Sequence, residues 1–299
     1  MSEIKKVNIS TITNIYGLTS ESNDFLFKPN GLYPILEYEP FRTSGYSIGL
    51  VLSGEKILNI GLDSYNISAP GLLVMGPELI RQWIDDKNHI DGMILYFTED
   101  FILSGLSDSF FIKNFPYFAK TGYNYLQLNP ELFETFKRIF DQIEAKNQTN
   151  HRNKLEVIRS YIRILLYEVE EVYVHHSSAK KTTTTQGENI ARKFKKLLEQ
   201  HFVNHREVQF YADQLFITTK HLSQTLKEQT GKTASDWIKE IVVLEAKVLL
   251  QNKENTIAQI SDQLNFANPS FFGKFFKRNT TLSPKEYRNI SQMKAKYDL

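Results

Sequence analysis

Ile257-Ala258-Gln259-Ile260-Ser261-Asp262-Gln263-Leu264-Asn265-Phe266-Ala267-Asn268-Pro269-Ser270-Phe271-Phe272-Gly273-Lys274-Phe275-Phe276-Lys277-Arg278 is the stretch on which the fold of this 299-residue chain turns. Thr256 to Leu264 reads as a short amphipathic helix and Asn265 to Asn268 as a tight turn. Pro269 to Asn279 reads as a longer helix, with proline in the first turn where its missing N–H costs nothing. Helix, turn and helix in that order describe a helix-turn-helix unit. Working upstream, the pattern occurs a second time. Val208 to Leu215 is a short helix, Phe216 to Thr218 a turn, and Thr219 to Thr230 a longer helix that stops at Gly231. Between the units, Ser235 to Gln251 reads as one helix with Trp237, Ile241, Leu244 and Val248 as its apolar stripe. That helix is expected to set the spacing of the units.

A helix-turn-helix lays its second helix in the DNA major groove, where each base pair displays its own donor and acceptor pattern. The solvent face of each second helix should therefore carry the readers. In the first unit Leu222 and Leu226 turn inward and leave Lys220, His221, Ser223, Gln224 and Lys227 outside. In the second, Phe271, Phe272, Phe275 and Phe276 are expected as core. That leaves Asn268, Ser270, Gly273, Lys274, Lys277 and Arg278 for base edges and phosphates. Gln224 and Lys274 are the leading base readers, because glutamine pairs with adenine and lysine with guanine. Contact with phosphate or water only is the alternative for each.

Charge agrees with an anionic partner for this half. Residues 1–186 carry a net −4 and residues 187–299 a net +6. Lys193, Lys195 and Lys196 read as a solvated helix face outside that interface.

The other half is punctuated differently, with 11 of 14 Gly and 7 of 9 Pro in the first 130 residues, so short strands between turns are expected there. Candidate strands are Tyr46 to Leu52, Glu55 to Ile60, Tyr65 to Ser68, Gly71 to Met75 and Gly92 to Phe97, with Ser53-Gly54 and Pro70-Gly71 as turns. An antiparallel barrel or sandwich follows. From Glu131 the period becomes helical, through Leu132, Phe133, Phe136, Ile139, Phe140 and Ile143. A second helix carries Leu155, Ile158, Ile162, Leu165, Val169 and Val172 at 3-4-3-4-3 spacing, which reads as a short dimerising seam or as a stripe covering the barrel. His175 to Gly187 has no apolar period and reads as linker. The expected domains are residues 1–175, a linker at 176–187, and an all-helical 188–299, in an α+β chain.

The stretch quoted above, with Leu282-Ser283-Pro284-Lys285-Glu286-Tyr287-Arg288, resembles the signature of the AraC/XylS family of bacterial transcription regulators. The likeness covers about residues 188–290. Asn265 and Thr281 stand where that family usually has glycine. Asparagine tolerates a left-handed turn, whereas β-branched Thr281 implies a different local turn or strain. The resemblance implies a cupin-like N-terminal barrel that answers a small-molecule effector. It also implies dimerisation through the helix from Leu155 to Val172 and double-stranded DNA as partner, with RNA polymerase a further one.

Other chemistries find little in the sequence. With no cysteine, disulfides, thiolate nucleophiles and cysteine-held metals are excluded. His89 is the one histidine of the barrel, His201 and His205 at i, i+4 lack a third ligand, and Asp85, Asp86 and Asp91 read as loop charges, so no metal or cofactor is expected. There is no P-loop, dinucleotide fingerprint or nucleophile elbow, Gly105 to Ser109 included, so enzymatic activity is not expected. Arg42, Arg81, Lys28, Tyr46, Tyr96 and Trp83 lie in or beside strands and read singly as ordinary residues, so the effector site stays unassigned. Without an apolar run of membrane length or a leader, the expected location is the cytoplasm. An enzyme or carrier barrel with a protein-binding helical domain is the alternative class.

Overall fold

A computed structural model describes residues 7–15, 22–30, 39–77, 79–84, 89–106, 108, 110–118, 124–181, 185–252 and 254–297. Side chains of Ile15, 176–181 and 291–297 are outside that description, as are Asp85 and Asp86. The chain divides into two compact units at residues 180 and 181.

The first unit is a bent antiparallel sheet with its two long helices on one face and a short N-terminal helix on the other. In chain order its elements are α1 (Ile9–Ile15), β1 (Phe25–Lys28), β2 (Tyr46–Ile60), β3 (Asp63–Ser68), β4 (Gly71–Met75), β5 (Arg81–Trp83), β6 (Ile90–Phe97) and α2 (Glu99–Leu103). They are followed by β7 (Tyr125–Gln127), α3 (Pro130–Asn147) and α4 (Lys154–Lys181). Ser53-Gly54, expected as a turn between two strands, lies inside the single 15-residue β2, at a shift in register opposite Asp91 and Ile90 of β6. Gly54 has φ +80°, and a Cβ there would lie 2.0 Å from the His89 carbonyl oxygen. Glycine thus lets the strand bend without ending.

The bend gives β2 two sets of neighbours. Ser47 to Val51 lies between β4 and β6, whereas Glu55 to Ile60 pairs with β3 and its last three residues, Leu58 to Ile60, also with β5. The strand order β1-β6-β2-β4-β7, with β3 and β5 on the far half of β2, does not close among the described residues. The α+β class holds, and the expected barrel is an open, folded sheet. β1, β5 and β7 have three or four residues each, too few to show a period.

Both faces of the sheet are covered at β4 and along most of β6, so these strands read as nearly continuous apolar runs. Leu72 and Val74 of β4 face the helices together with Ile48, Leu50, Leu95 and Phe97. Leu73 and Met75, one residue out of phase, face the inside of the fold with Val51, Leu58, Ile60, Ile67 and Trp83. α3 contributes Phe136, Phe140 and Ile143 to the outer core, and α4 contributes Ile158, Ile162, Leu165, Leu166, Val169 and Val172. The Tyr117 hydroxyl donates to the Leu166 carbonyl at 2.7 Å, tying α4 to the segment between α2 and β7. α4 also runs through the first half of the segment whose composition suggests a linker, as far as Lys181. Its Ser, Ala and Lys residues lack the Gly or Pro that would stop an established helix.

The second unit is helical: α5 (Gln186–His201), α6 (Val208–Gln214), α7 (Thr219–Thr230), α8 (Ala234–Gln251), α9 (Ile257–Gln263), α10 (Pro269–Thr280) and α11 (Pro284–Tyr297). Thr185–Glu188, Thr233–Asp236 and Thr256–Gln259 form capping boxes that start α5, α8 and α9. α8 was expected to bury one stripe, but it buries two sides. Trp237, Ile241 and Val248 are joined by Ile238, Val242, Ala246, Leu249 and Leu250, whereas Leu244 is partly exposed. The reason is its position between α7 and the α9–α10–α11 group.

Candidate nucleic-acid interface

Each second helix begins with a side-chain cap. Thr218 Oγ1 accepts from the His221 N–H at 3.1 Å at the start of α7, and Asn268 Oδ1 accepts from the Phe271 N–H at 3.0 Å at the start of α10. Leu222 and Leu226 bury the inner face of α7. Lys220, His221, Gln224 and Lys227 are exposed, and Ser223 is half-buried. On α10, Phe272 and Phe276 are buried against Ala246, Leu249, Leu250, Ile260, Leu264 and Tyr287. Asn268, Ser270, Lys274, Lys277 and Arg278 are exposed, and Gly273 is half-buried with nothing within 4 Å of a Cβ placed on it.

Some of these side chains are engaged within the protein. Asn268 holds the cap just described, and Gln224 Nε2 donates to Glu228 Oε1 at 2.9 Å. The stripe of four phenylalanines is not wholly core. Phe275 is half-buried beside Phe266, and Phe271 is 59% exposed on the same side as Ser270 and Lys274. In the first unit Phe216, at φ +56° in the turn, is 94% exposed. Phe271 was expected as core, since apolar residues at helical spacing read as buried unless the helix's rotation on its neighbours is known, whereas Phe216 was read only as part of the turn.

Arg206 joins the two helix-turn-helix units directly, and further contacts fasten each of them to α8. The Arg206 guanidinium lies 3.9 Å from the centre of the Phe266 ring, and its Nη2 donates to the Leu264 carbonyl at the end of α9. Arg206 precedes α6, so it joins the entrance of the first unit to the turn of the second. Arg288 of α11 donates to the Leu250 carbonyl in the last turn of α8 and to the Asn255 carbonyl beyond it, at 3.1 and 2.8 Å. Trp237 Nε1 donates to Thr230 Oγ1 at 2.9 Å, joining α8 to the end of α7. Lys195, expected as a solvated charge, lies with Lys232 over the Trp237 ring, at 4.6 and 4.8 Å. His205 stacks on Phe210 at 3.8 Å, with His201 edge-on to the same ring, so the pair belongs to an aromatic cluster.

In the first unit, Ile158, Ile162, Leu165 and Val169, expected as a dimerising seam with Leu155, are fully buried in that unit's own core, and Leu155 is partly buried against it. They cover the sheet. The outward side of α4 instead carries Ile164, Tyr167 and Val174, about half exposed. Of the six barrel residues left without a role, Arg81, Trp83 and Tyr96 meet around one cavity, whereas Tyr46 packs on the other face of the sheet.

Comparisons with known proteins agree with this architecture. Residues 211–290 match the family described as a helix-turn-helix domain, and residues 33–159 the AraC-like ligand binding domain. The HTH-type transcriptional activator RhaR of Escherichia coli K12 is 27% identical over 84 residues, 28% of this chain and 30% of that protein. Histidine kinase P4 of Formosa agariphila is 28% identical over 116 residues, 38% of this chain and 8% of that one. The chain thus spans less than a third of the length of either relative. Among solved structures, ToxT of Vibrio cholerae aligns over 90% of this chain and 98% of its own at 16% identity and a TM-score of 0.37. The two domain matches, in this order on one chain, make it a member of the AraC/XylS family of transcription regulators. Among the described residues, no helix is long and apolar enough to cross a membrane.

Proposed function

We propose that the chain is a sequence-specific DNA-binding transcription regulator. Its helical unit reads double-stranded DNA through α7 and α10, and its sheet unit answers a small-molecule effector. The observation that carries this reading is the pairing of two capped second helices, each with a buried leucine or phenylalanine face opposite an exposed cationic one. Lys220, Lys227, Lys277 and Arg278 would displace counterions from phosphate. Gln224 and Lys274 would pair with base edges, and Gly273 would let the α10 backbone approach the duplex closely. The acceptor engaged by Gln224 is an exposed glutamate, a bond that exchanges readily for a base.

A homodimer in the cytoplasm that contacts RNA polymerase completes the proposal. Its self-contact belongs on the outward side of α4, at Ile164, Tyr167 and Val174, because the inward side holds the core. The test is selection of bound sequences from a random duplex library with the full-length protein at a stated salt concentration. An asymmetric motif spanning two successive major grooves is expected. Failure to enrich any motif would overturn the reading.

A further inference from the structure

Arg81 is a buried cation with no anion of a described residue beside it. It is 5% exposed, and its backbone is held on both edges of β5: it exchanges hydrogen bonds of 2.9 Å with Phe41 and registers with Ile60 of β2. Its guanidinium finds only neutral acceptors. Nη1 donates to Ser47 Oγ at 3.1 Å, and Nη2 to Thr43 Oγ1 at 3.0 Å and to the Gly76 carbonyl at 3.3 Å. Nε is buried with no hydrogen-bond partner, and no carboxylate of a described residue pairs with the group. Burial lowers its pKa to about 10, which leaves it protonated at neutral pH. A desolvated charge of this kind is costly unless something compensates it.

Beside it is a cavity of about 30 Å³, room for about two water-sized groups. Arg81, Ser47 and Tyr96 supply its polar wall, and Leu73, Met75 and Trp83 part of its apolar one. Burial raises the Tyr96 phenol to about 12, so it stays protonated and can donate a hydrogen bond. A single positive charge, a free N–H, a phenolic donor and an apolar remainder describe the complement of a short monocarboxylate. The space is too small for a sugar ring, and one guanidinium does not balance a phosphate dianion.

We propose that the sheet unit binds a free monocarboxylate of formate or acetate size, with its carboxylate on Arg81 and its hydrogen or methyl end among Leu73, Met75 and Trp83. This rests on reading the unit as ligand-binding and adds the chemical class of ligand. The chain has two tryptophans, so Trp237→Phe leaves Trp83 as the only one, a reporter inside the cavity.

The experiment titrates that full-length variant with sodium formate, acetate and propionate, with acetamide and inorganic phosphate as controls, at ionic strength held with sodium sulfate. A saturable change in Trp83 emission with formate or acetate, and none with acetamide, is expected. Arg81→Met, checked for folding by circular dichroism, should raise the half-saturating concentration at least about tenfold. Should that variant fail to fold, Tyr96→Phe removes one donor at little steric cost and should weaken the response severalfold. The proposal is overturned by no saturable response to any monocarboxylate, by an equal response to acetamide, by a response to phosphate alone, or by unchanged binding in the folded variants. DNA selection without added carboxylate tests the regulator reading separately, so the two can fail independently.

Discussion

Thr281 sits at the C-terminus of α10 with φ +69°, where Gly231 sits at the end of α7 with φ +76°. In both, the cap N–H donates to a carbonyl four residues back, from Lys277 or Lys227. The two turns are the same, so the threonine carries strain in a conformation that suits glycine. Thr281→Gly should therefore stabilise the helical unit by about 1 kcal/mol, measured by urea unfolding followed through Trp237. Asn265, at φ +52°, tolerates its turn better and should gain less from the same change. On the exposed face, Lys274→Ala should cost about 1–3 kcal/mol at one base position and relax selectivity there. Equal weakening on every sequence would identify a phosphate contact instead. Phe271, exposed beside Lys274, is suited to a thymine methyl group, so Phe271→Ala should lose a thymine preference in the selected motif.

Elements respond as faces. α4 has an inward face of fully buried residues and an outward face with half-exposed Ile164, Tyr167 and Val174. Ile162→Ala should destabilise the sheet unit by about 2–5 kcal/mol, whereas Ile164→Ala should change stability by no more than about 0.5 kcal/mol. Sedimentation of the Ile164 variant then tests self-association on that face without the confusion of unfolding. In α10, Gly273 faces open space, so Gly273→Ala should stabilise the helix by about 0.5–1 kcal/mol. If the backbone approaches DNA closely there, the same variant binds the selected motif more weakly despite its stabler fold. Opposite signs in unfolding and binding would be the mark of a glycine kept for contact.

For the whole molecule, charge segregation is the governing feature, with net −4 over residues 1–186 and +6 over 187–299. If Lys220, Lys227, Lys277 and Arg278 all meet phosphate, the salt slope is about −3.6, and affinity falls roughly 150-fold between about 50 and 200 mM salt. A much shallower slope in a binding titration would place some of them away from the backbone. Each of the two readers sits on its own helix, and their relative placement depends on α8, Arg206 and Arg288. Arg206→Ala should therefore impair binding to the two-groove motif more than to either half alone, measured on split duplexes.

What the sequence determined by itself was local and periodic. The helix-turn-helix units, the stop at Gly231, and the exposure of Lys220, Gln224, Lys274 and Arg278 follow from 3.6-residue spacing, turn-forming residues and glycine, which need no knowledge of distant residues. The strands with five or more residues were legible for the same reason. Only the tertiary structure decided what depended on a partner across the fold. That Ser53-Gly54 bends one strand rather than ending it depends on the approach of His89. That Phe271 is outside and Ile162 inside depends on how each helix is rotated against its neighbours. Arg81, Trp83 and Tyr96, scattered between residues 81 and 96, share a cavity because the bent β2 brings β5 over the inner face of β6. Spacing along a chain reports which residues share a face, and packing alone reports what that face meets.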